Sequence, residues 1–235
     1  MQHPFNPRWL YLGVAFLPWI GTGCADGPFG LVHLNPVARK KWEADESYGP
    51  TFHRRLAELR SLRSSTYLYD ARQKERIAAE MAELVQTDES SVLRCEALAV
   101  MGEVATPSVP PVLHAALTDE NQDVRIAACH AWGKIGGDEA LATLVQVAEK
   151  ETDVDVRLAA VEELGKFKDQ TAIQVLGIAL DDSDPAVQFR AVQSLKSATG
   201  TEYGDSVPGW RDYLQGRRNA PPPAPSLTQR VRNWF

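Results

Sequence analysis

The 235-residue chain has little of what usually carries chemistry or covalent cross-links. It holds three cysteines and five histidines, scattered along its length. Cys24 ends an apolar run, while Cys95 and Cys129 fall inside helical patterns, so neither a disulfide framework nor a zinc spacing is present. No apolar run reaches the roughly 20 residues that a bilayer-spanning helix needs. Positive charge is also short, with 25 basic against 31 acidic residues and a net charge of −6. That balance excludes a general nucleic-acid-binding surface. No nucleophile, base and orienting group converge in the sequence, so neither turnover nor a metal or cofactor is expected.

The charge that is present is unevenly spread. Residues 71–200 carry 12 basic and 22 acidic side chains, net −10, whereas residues 201–235 carry five arginines and three acids, net +2. An acidic middle repels phosphate, which again excludes nucleic acid as a partner.

At the amino terminus, "MQHPFNPRWLYLGVAFLPWIGTGC" places Arg8 before an uncharged stretch from Trp9 to Ile20 and small residues ending at Cys24. This is the layout of a secretory signal over residues 1–23. "GTGC" resembles the lipobox of bacterial lipoproteins, which implies diacylation of Cys24 and a membrane anchor on the periplasmic side of the cell envelope. Gly21 stands where that motif usually has an aliphatic residue. With Gly23 it also satisfies ordinary signal cleavage, so a soluble exported protein is the alternative.

The centre of the chain repeats. "LRCEALAVMGEV" from Leu93, "VRIAACHAWGKI" from Val124, "VRLAAVEELGKF" from Val156 and "VQFRAVQSLKSA" from Val187 align at spacings of 31, 32 and 31 residues. One column holds Ala97, Ala128, Ala160 and Ala191, and another Met101, Trp132, Leu164 and Leu195. Apolar residues at i, i+3 or i+4, and i+7 make each copy an amphipathic helix whose core face includes both columns. Each is preceded by a favoured N-cap, namely Ser90, Asn121, Asp153 or Asp184, and Pro185 follows the last of these at the first helical position. A second apolar segment lies ahead of every copy, starting near Arg76, Val109, Ala140 and Ala172. Each unit therefore reads as helix, turn, helix. Such a unit cannot bury its apolar face alone, so neighbours must stack.

This pattern resembles the HEAT repeat in its short, phycocyanobilin-lyase-like form. The resemblance implies an all-α fold, a right-handed α-solenoid of about four repeats over residues 71–200. It also implies that an acid in each inter-helix turn and an arginine six residues later form a ladder from repeat to repeat. These are Asp88 with Arg94, Asp119 with Arg125, and Glu151 with Arg157. The fourth copy departs, with Gln188 after Asp182 and Lys196 where Gly102, Gly133 and Gly165 stand in the others.

Cys129 aligns with Leu98, Val161 and Val192, and Cys95 with Ile126 and Leu158, so both thiols read as core. His130 aligns with Ala99, Glu162 and Gln193, a groove-lining position, and His114 lies in the preceding helix. No acid at metal-ligand spacing accompanies either histidine. If the second helices line an inner face, its polar residues are Glu96, Glu103, His130, Lys134, Glu162, Glu163 and Lys166, acidic toward repeats one and three. A protein or peptide with basic and apolar residues is the matching partner.

The flanks complete the organisation. Residues 24–70 form an extension ending in a helix whose Phe52, Leu56, Leu59 and Leu62 make an apolar stripe suited to capping the array. Residues 201–216 offer Tyr203, Trp210, Tyr213 and Leu214 as a second cap. Residues 217–235 combine a stiff Pro-rich linker with "LTQRVRNWF", where helical spacing puts Leu227, Val231, Trp234 and Phe235 on one face as a docking segment. The expectation is a non-catalytic interaction scaffold at the bacterial cell envelope. The rivals are a lyase-type enzyme or chaperone-like factor using the groove, and a structural lipoprotein joining membrane and cell wall.

Overall fold

The computed structural model describes residues 49–201 and 203–217. Cys24 and the signal lie outside the described residues, as do Leu227, Val231, Trp234 and Phe235. The chain divides into residues 1–54 and 55–235. All the helices belong to the second of these units, apart from the first turn of α1.

The described residues form ten helices joined by short turns, with no strand among them. α1 runs over Phe52–Ser65 and is followed by a 3-10 turn, Thr66–Leu68. The repeats then read α2 (Ala71–Thr87) with α3 (Ser91–Val104), α4 (Val109–Ala116) with α5 (Gln122–Ile135), α6 (Gly137–Lys150) with α7 (Val154–Leu164), and α8 (Gln170–Ala179) with α9 (Pro185–Thr199). α10 (Val207–Leu214) closes the described chain. No helix among these residues is long and apolar enough to cross a membrane.

Local signals set these boundaries. Ser90, Asn121, Asp153 and Asp184 each accept a backbone N–H in the first turn of α3, α5, α7 and α9, a contact worth about 1 kcal/mol apiece. At α2, Asp70 and Gln73 form a reciprocal capping box, with bonds of 2.8 and 2.9 Å. Gly136 ends α5 at φ +69° and Gly137 begins α6 at φ +83°, so two successive glycines with positive φ join the two repeats.

α3, α5, α7 and α9 pack each on the next in one layer, and α2, α4, α6 and α8 pack against them as the other. The result is an all-α solenoid. Met101, Trp132, Leu164 and Leu195 are buried, and so are Ala97, Ala128, Ala160 and Ala191, which places both columns in the core. The glycines act between successive second helices rather than within a helix pair. A Cβ on Gly102 would lie 3.2 Å from the Cα of Ala131, and one on Gly165 would lie 2.8 Å from the Cα of Ser194.

Both ends of the apolar column are covered. Leu59 is buried, and Leu56 and Leu62 pack against the core, whereas Phe52 is 41 % exposed. Periodicity extends a stripe to the end of a helix whether or not anything lies opposite it, so Phe52 drops out of the expected set. At the other end Tyr203 and Trp210 are buried and pack their rings against each other and against Tyr213, with centroids 4.3 to 5.7 Å apart. The Trp210 indole N–H donates to the Gly204 carbonyl at 2.9 Å, which satisfies its one buried polar group.

Candidate partner-binding face

The arginine ladder sets the phase of one second helix against the next. Arg94 donates from Nη2 to Asp119 at 2.9 Å, Arg125 to Asp153 at 3.3 Å, and Arg157 from Nε and Nη2 to the two carboxylate oxygens of Asp182 at 3.1 and 3.3 Å. In each case Nη1 also donates to a carbonyl of its own turn, those of Asp88, Asp119 and Glu151. One guanidinium thus ties its own turn and the following one, as its planar fork of donors allows. Glu151 lies 3.8 Å from Arg125 as a second carboxylate beside Asp153.

Arg55, in α1, hydrogen-bonds Asp88 and extends the same ladder by one rung. It is the fourth residue of its helix, as Arg94 is of α3, and Leu59 stands where Leu98 does. α1 is therefore a degenerate second helix. The sequence contains that register but conceals it, because Glu58 and Arg63 stand in α1 where α3 has Ala97 and Gly102. Burial pushes the Asp88 carboxyl up, but bonds from Arg55 and the Ser90 amide outweigh it and leave the group below the ordinary carboxylate range.

The departures of the fourth repeat follow from its position. Gln188 keeps the bond to its own turn, donating to the Asp182 carbonyl at 2.7 Å. Lys196, in the glycine column, bonds Asp205 of the closing segment at 2.7 Å. Among the described residues neither meets a further second helix.

With the phase fixed, equivalent side chains line up across α3, α5, α7 and α9. Cys95, Ile126 and Leu158 are half-buried and Phe189 is 56 % exposed. They form one apolar row across the repeats. Between α5 and α7 a shallow groove of about 380 Å³ is lined by Gln122, Asp123, Ile126, His130, Asp155, Leu158, Ala159 and Glu162. Larger hollows of about 520 and 540 Å³ lie at the α6 and α8 seam and between α8 and α10. Their arginines are engaged within the array, Arg157 with Asp182 and Arg211 with the Leu180 carbonyl.

The acidity expected toward repeats one and three is largely neutralised. Glu96 is paired with Arg63 at 2.9 Å, Glu103 with Lys134 at 3.1 Å and Glu162 with Arg190 at 3.1 Å. Glu163 is not on the face at all, being 1 % exposed, with His130 Nδ1 2.8 Å away and Lys166 on its other oxygen. It occupies the column of Val100, Ala131 and Ser194, all buried. Its carboxylate fits because Gly133 has no side chain: a Cβ there would lie 1.6 Å from Oε2. The negative charge beside the apolar row comes instead from Asp123 and Asp155, both exposed at the first turns of α5 and α7.

The histidines also acquire acids that sequence spacing does not reveal, because the partners come from other helices. His130 takes Glu163, and His114 Nε2 lies 3.2 Å from Glu139 with its ring 4.7 Å from that of Trp132. Cys129 is buried, and desolvation, followed by the charge of Glu163, pushes its thiol up to about 12. Cys95 is half-buried at the face rather than core, and burial together with Asp123 pushes its thiol up to about 11. Among the described residues no three His, Cys, Asp or Glu gather as a metal site.

The profile of HEAT repeats matches residues 78–153 and 141–208, more than half of the chain. The chain belongs to the HEAT-repeat family. A search of curated proteins finds no match to it. HEAT repeats generally mediate protein–protein interaction, and the α5 and α7 face of this HEAT-repeat protein sets the apolar edges of Ile126 and Leu158 beside the exposed Asp123 and Asp155.

Proposed function

We propose that this HEAT-repeat protein is a non-catalytic scaffold of the bacterial cell envelope, exported under the signal of residues 1–23 and anchored through a lipidated Cys24. It engages a basic and apolar segment of a partner protein on its second-helix face. The observation that carries this reading is the contrast in pairing: Glu96, Glu103, Glu162 and Glu163 all have basic neighbours, while Asp123 and Asp155 flank Ile126 and Leu158. A complementary ligand supplies cations at the flank and side chains for the row, with charge setting orientation and association rate. The location rests on the apolar stretch Trp9 to Ile20 and the "GTGC" sequence. The period of 31 residues supports the short, phycocyanobilin-lyase-like repeat type, whose fold does not bring that activity with it.

Cross-linking capture of envelope proteins by the mature lipidated form, with identification by mass spectrometry, tests the reading. Asp123→Lys with Asp155→Lys should abolish capture of the specific partner while the chain keeps its helical circular-dichroism spectrum and unfolds cooperatively. Metabolic labelling with a fatty acid that disappears in Cys24→Ala tests the anchor.

One observation favours a second reading, an enzyme or chaperone-like factor. His130 is oriented by the carboxylate of Glu163, the arrangement that prepares an imidazole for general-base work. If His130→Ala and His114→Ala leave capture intact, the scaffold reading holds. Loss of a measurable turnover at unchanged stability transfers the role to the histidines.

A further inference from the structure

The α5 and α7 groove and the far end of this same chain are chemically complementary. Asp155 accepts from the amide of Gln122 at 2.6 Å, a neutral donor that leaves the carboxylate charge uncompensated. With Asp123 it puts two acids beside the exposed edges of Ile126 and Leu158. Residues 227–235, "LTQRVRNWF", contain Arg230 and Arg232, no acid, and four large apolar residues.

The spacings agree as well. Leu227 and Trp234 are seven residues apart, about 10.5 Å along a helix. Ile126 and Leu158 stand on adjacent packed helices, whose axes are typically about 8–10 Å apart. A helix laid across the repeats therefore meets the row with one apolar residue per repeat. A helix of nine residues does not hold unaided, so one formed there would need a surface to rest on.

The reach is sufficient. α10 packs on α8 and α9, and Leu227 comes ten positions after Arg217, through the Pro-rich stretch "NAPPPAPS". At about 3.1 Å per residue a linker of that composition spans roughly 30 Å. Two steps from α9 through α7 to α5 cover about 20 Å.

We infer that residues Leu227–Phe235 occupy the α5 and α7 groove of their own chain, with Arg230 and Arg232 against Asp123 and Asp155, until a partner displaces them. This rests on the reading of that face as the partner surface and adds its regulation: the tail is an internal competitor.

The test uses the full chain with a photo-crosslinking amino acid in place of Trp234. The expected products are intramolecular cross-links into residues 122–134 or 154–166, with a yield independent of protein concentration. Asp123→Lys with Asp155→Lys should lower that yield roughly tenfold, and adding Arg230→Glu with Arg232→Glu should restore it. Cross-links elsewhere on the chain, only to a second copy with a yield rising with concentration, or only to anionic vesicles added to the sample overturn the inference. So does a yield indifferent to both charge reversals. Partner capture in the same samples separates the two ideas. If capture depends on Asp123 and Asp155 but the tail cross-links elsewhere, internal occupancy fails and the face remains the partner site. If the tail cross-links as expected but capture ignores the reversals, the partner site lies elsewhere.

Discussion

Arg157 meets both carboxylate oxygens of Asp182, at 3.1 and 3.3 Å, while its Nη1 donates to the Glu151 and Thr152 carbonyls at 3.0 Å each. Its side chain is 13 % exposed and that of Asp182 15 %, so the pair is largely desolvated. Removing one member of such a pair strands the other. Arg157→Ala is expected to cost about 3 kcal/mol, measured by chemical denaturation. Arg157→Lys keeps the charge but loses the fork, and should recover less than half of that loss.

The ladder also sets the acid side of the stability profile. Burial pushes Asp182 up, but the Asp184 amide and the Arg157 guanidinium outweigh it, and the group titrates below its ordinary value of 3.8. Asp88 is lowered in the same manner by Arg55 and Ser90. A depressed folded-state pKa contributes stability above the unfolded value, and that contribution is lost as pH falls through the folded value. Melting temperature should hold down to about pH 4 and then drop, and Arg157→Ala should flatten that drop.

Gly133 and Glu163 are coupled by space. A methyl at Gly133 would fall 1.6 Å from Glu163 Oε2 and 2.5 Å from Cδ, so Gly133→Ala alone should cost about 2 kcal/mol by overpacking. In a Glu163→Ala background the clash is gone, and the gain of about 1 kcal/mol in helix propensity should reverse the sign. A double-mutant cycle read by denaturation checks this. A coupling below about 0.5 kcal/mol would mean that the carboxylate does not rest on that glycine.

Thiol chemistry provides a probe of local opening. With its thiol pushed up to about 12 inside the core, Cys129 should not react with an alkylating reagent at pH 8 until the array unfolds. Peptide mapping after timed labelling measures it. Alkylation of Cys129 at the rate of an unstructured thiol would contradict its burial.

The closing segment is expected to carry much of the stability of the last repeat. Trp210 is buried, rests on Tyr203 and Tyr213, and satisfies its indole N–H on Gly204. Trp210→Ala should cost about 3 to 5 kcal/mol. Hydrogen exchange should rise first in α8 and α9, the helices that α10 covers.

Much of the candidate face is legible in the linear order. His130 and Glu162 fall at an outward position of the aligned copies and line the groove, whereas Ile126 and Leu158, whose column with Cys95 reads as core, lie half-buried beside them. Glu163 is misplaced by the same alignment although its column, Val100, Ala131 and Ser194, is a core column. Its charge argues for water, and only the notch at Gly133 with His130 and Lys166 makes burial tolerable. The acidic character expected of repeat one fails for a related reason, since Arg63 in α1 reaches Glu96 across 33 residues of sequence.

The repeat, its register, the two buried columns, the helix caps and the aromatic closing segment are all written in the order of the residues, because each depends on period, size and near-neighbour hydrogen bonding. Which acid meets which base is not, and so neither is the place where charge is left uncompensated. The partners of Arg94, Arg125, Arg157 and His130 lie 25 to 33 residues away in the following repeat. Ion pairing is fixed by distances of a few ångströms, and those distances exist only once the second helices have stacked.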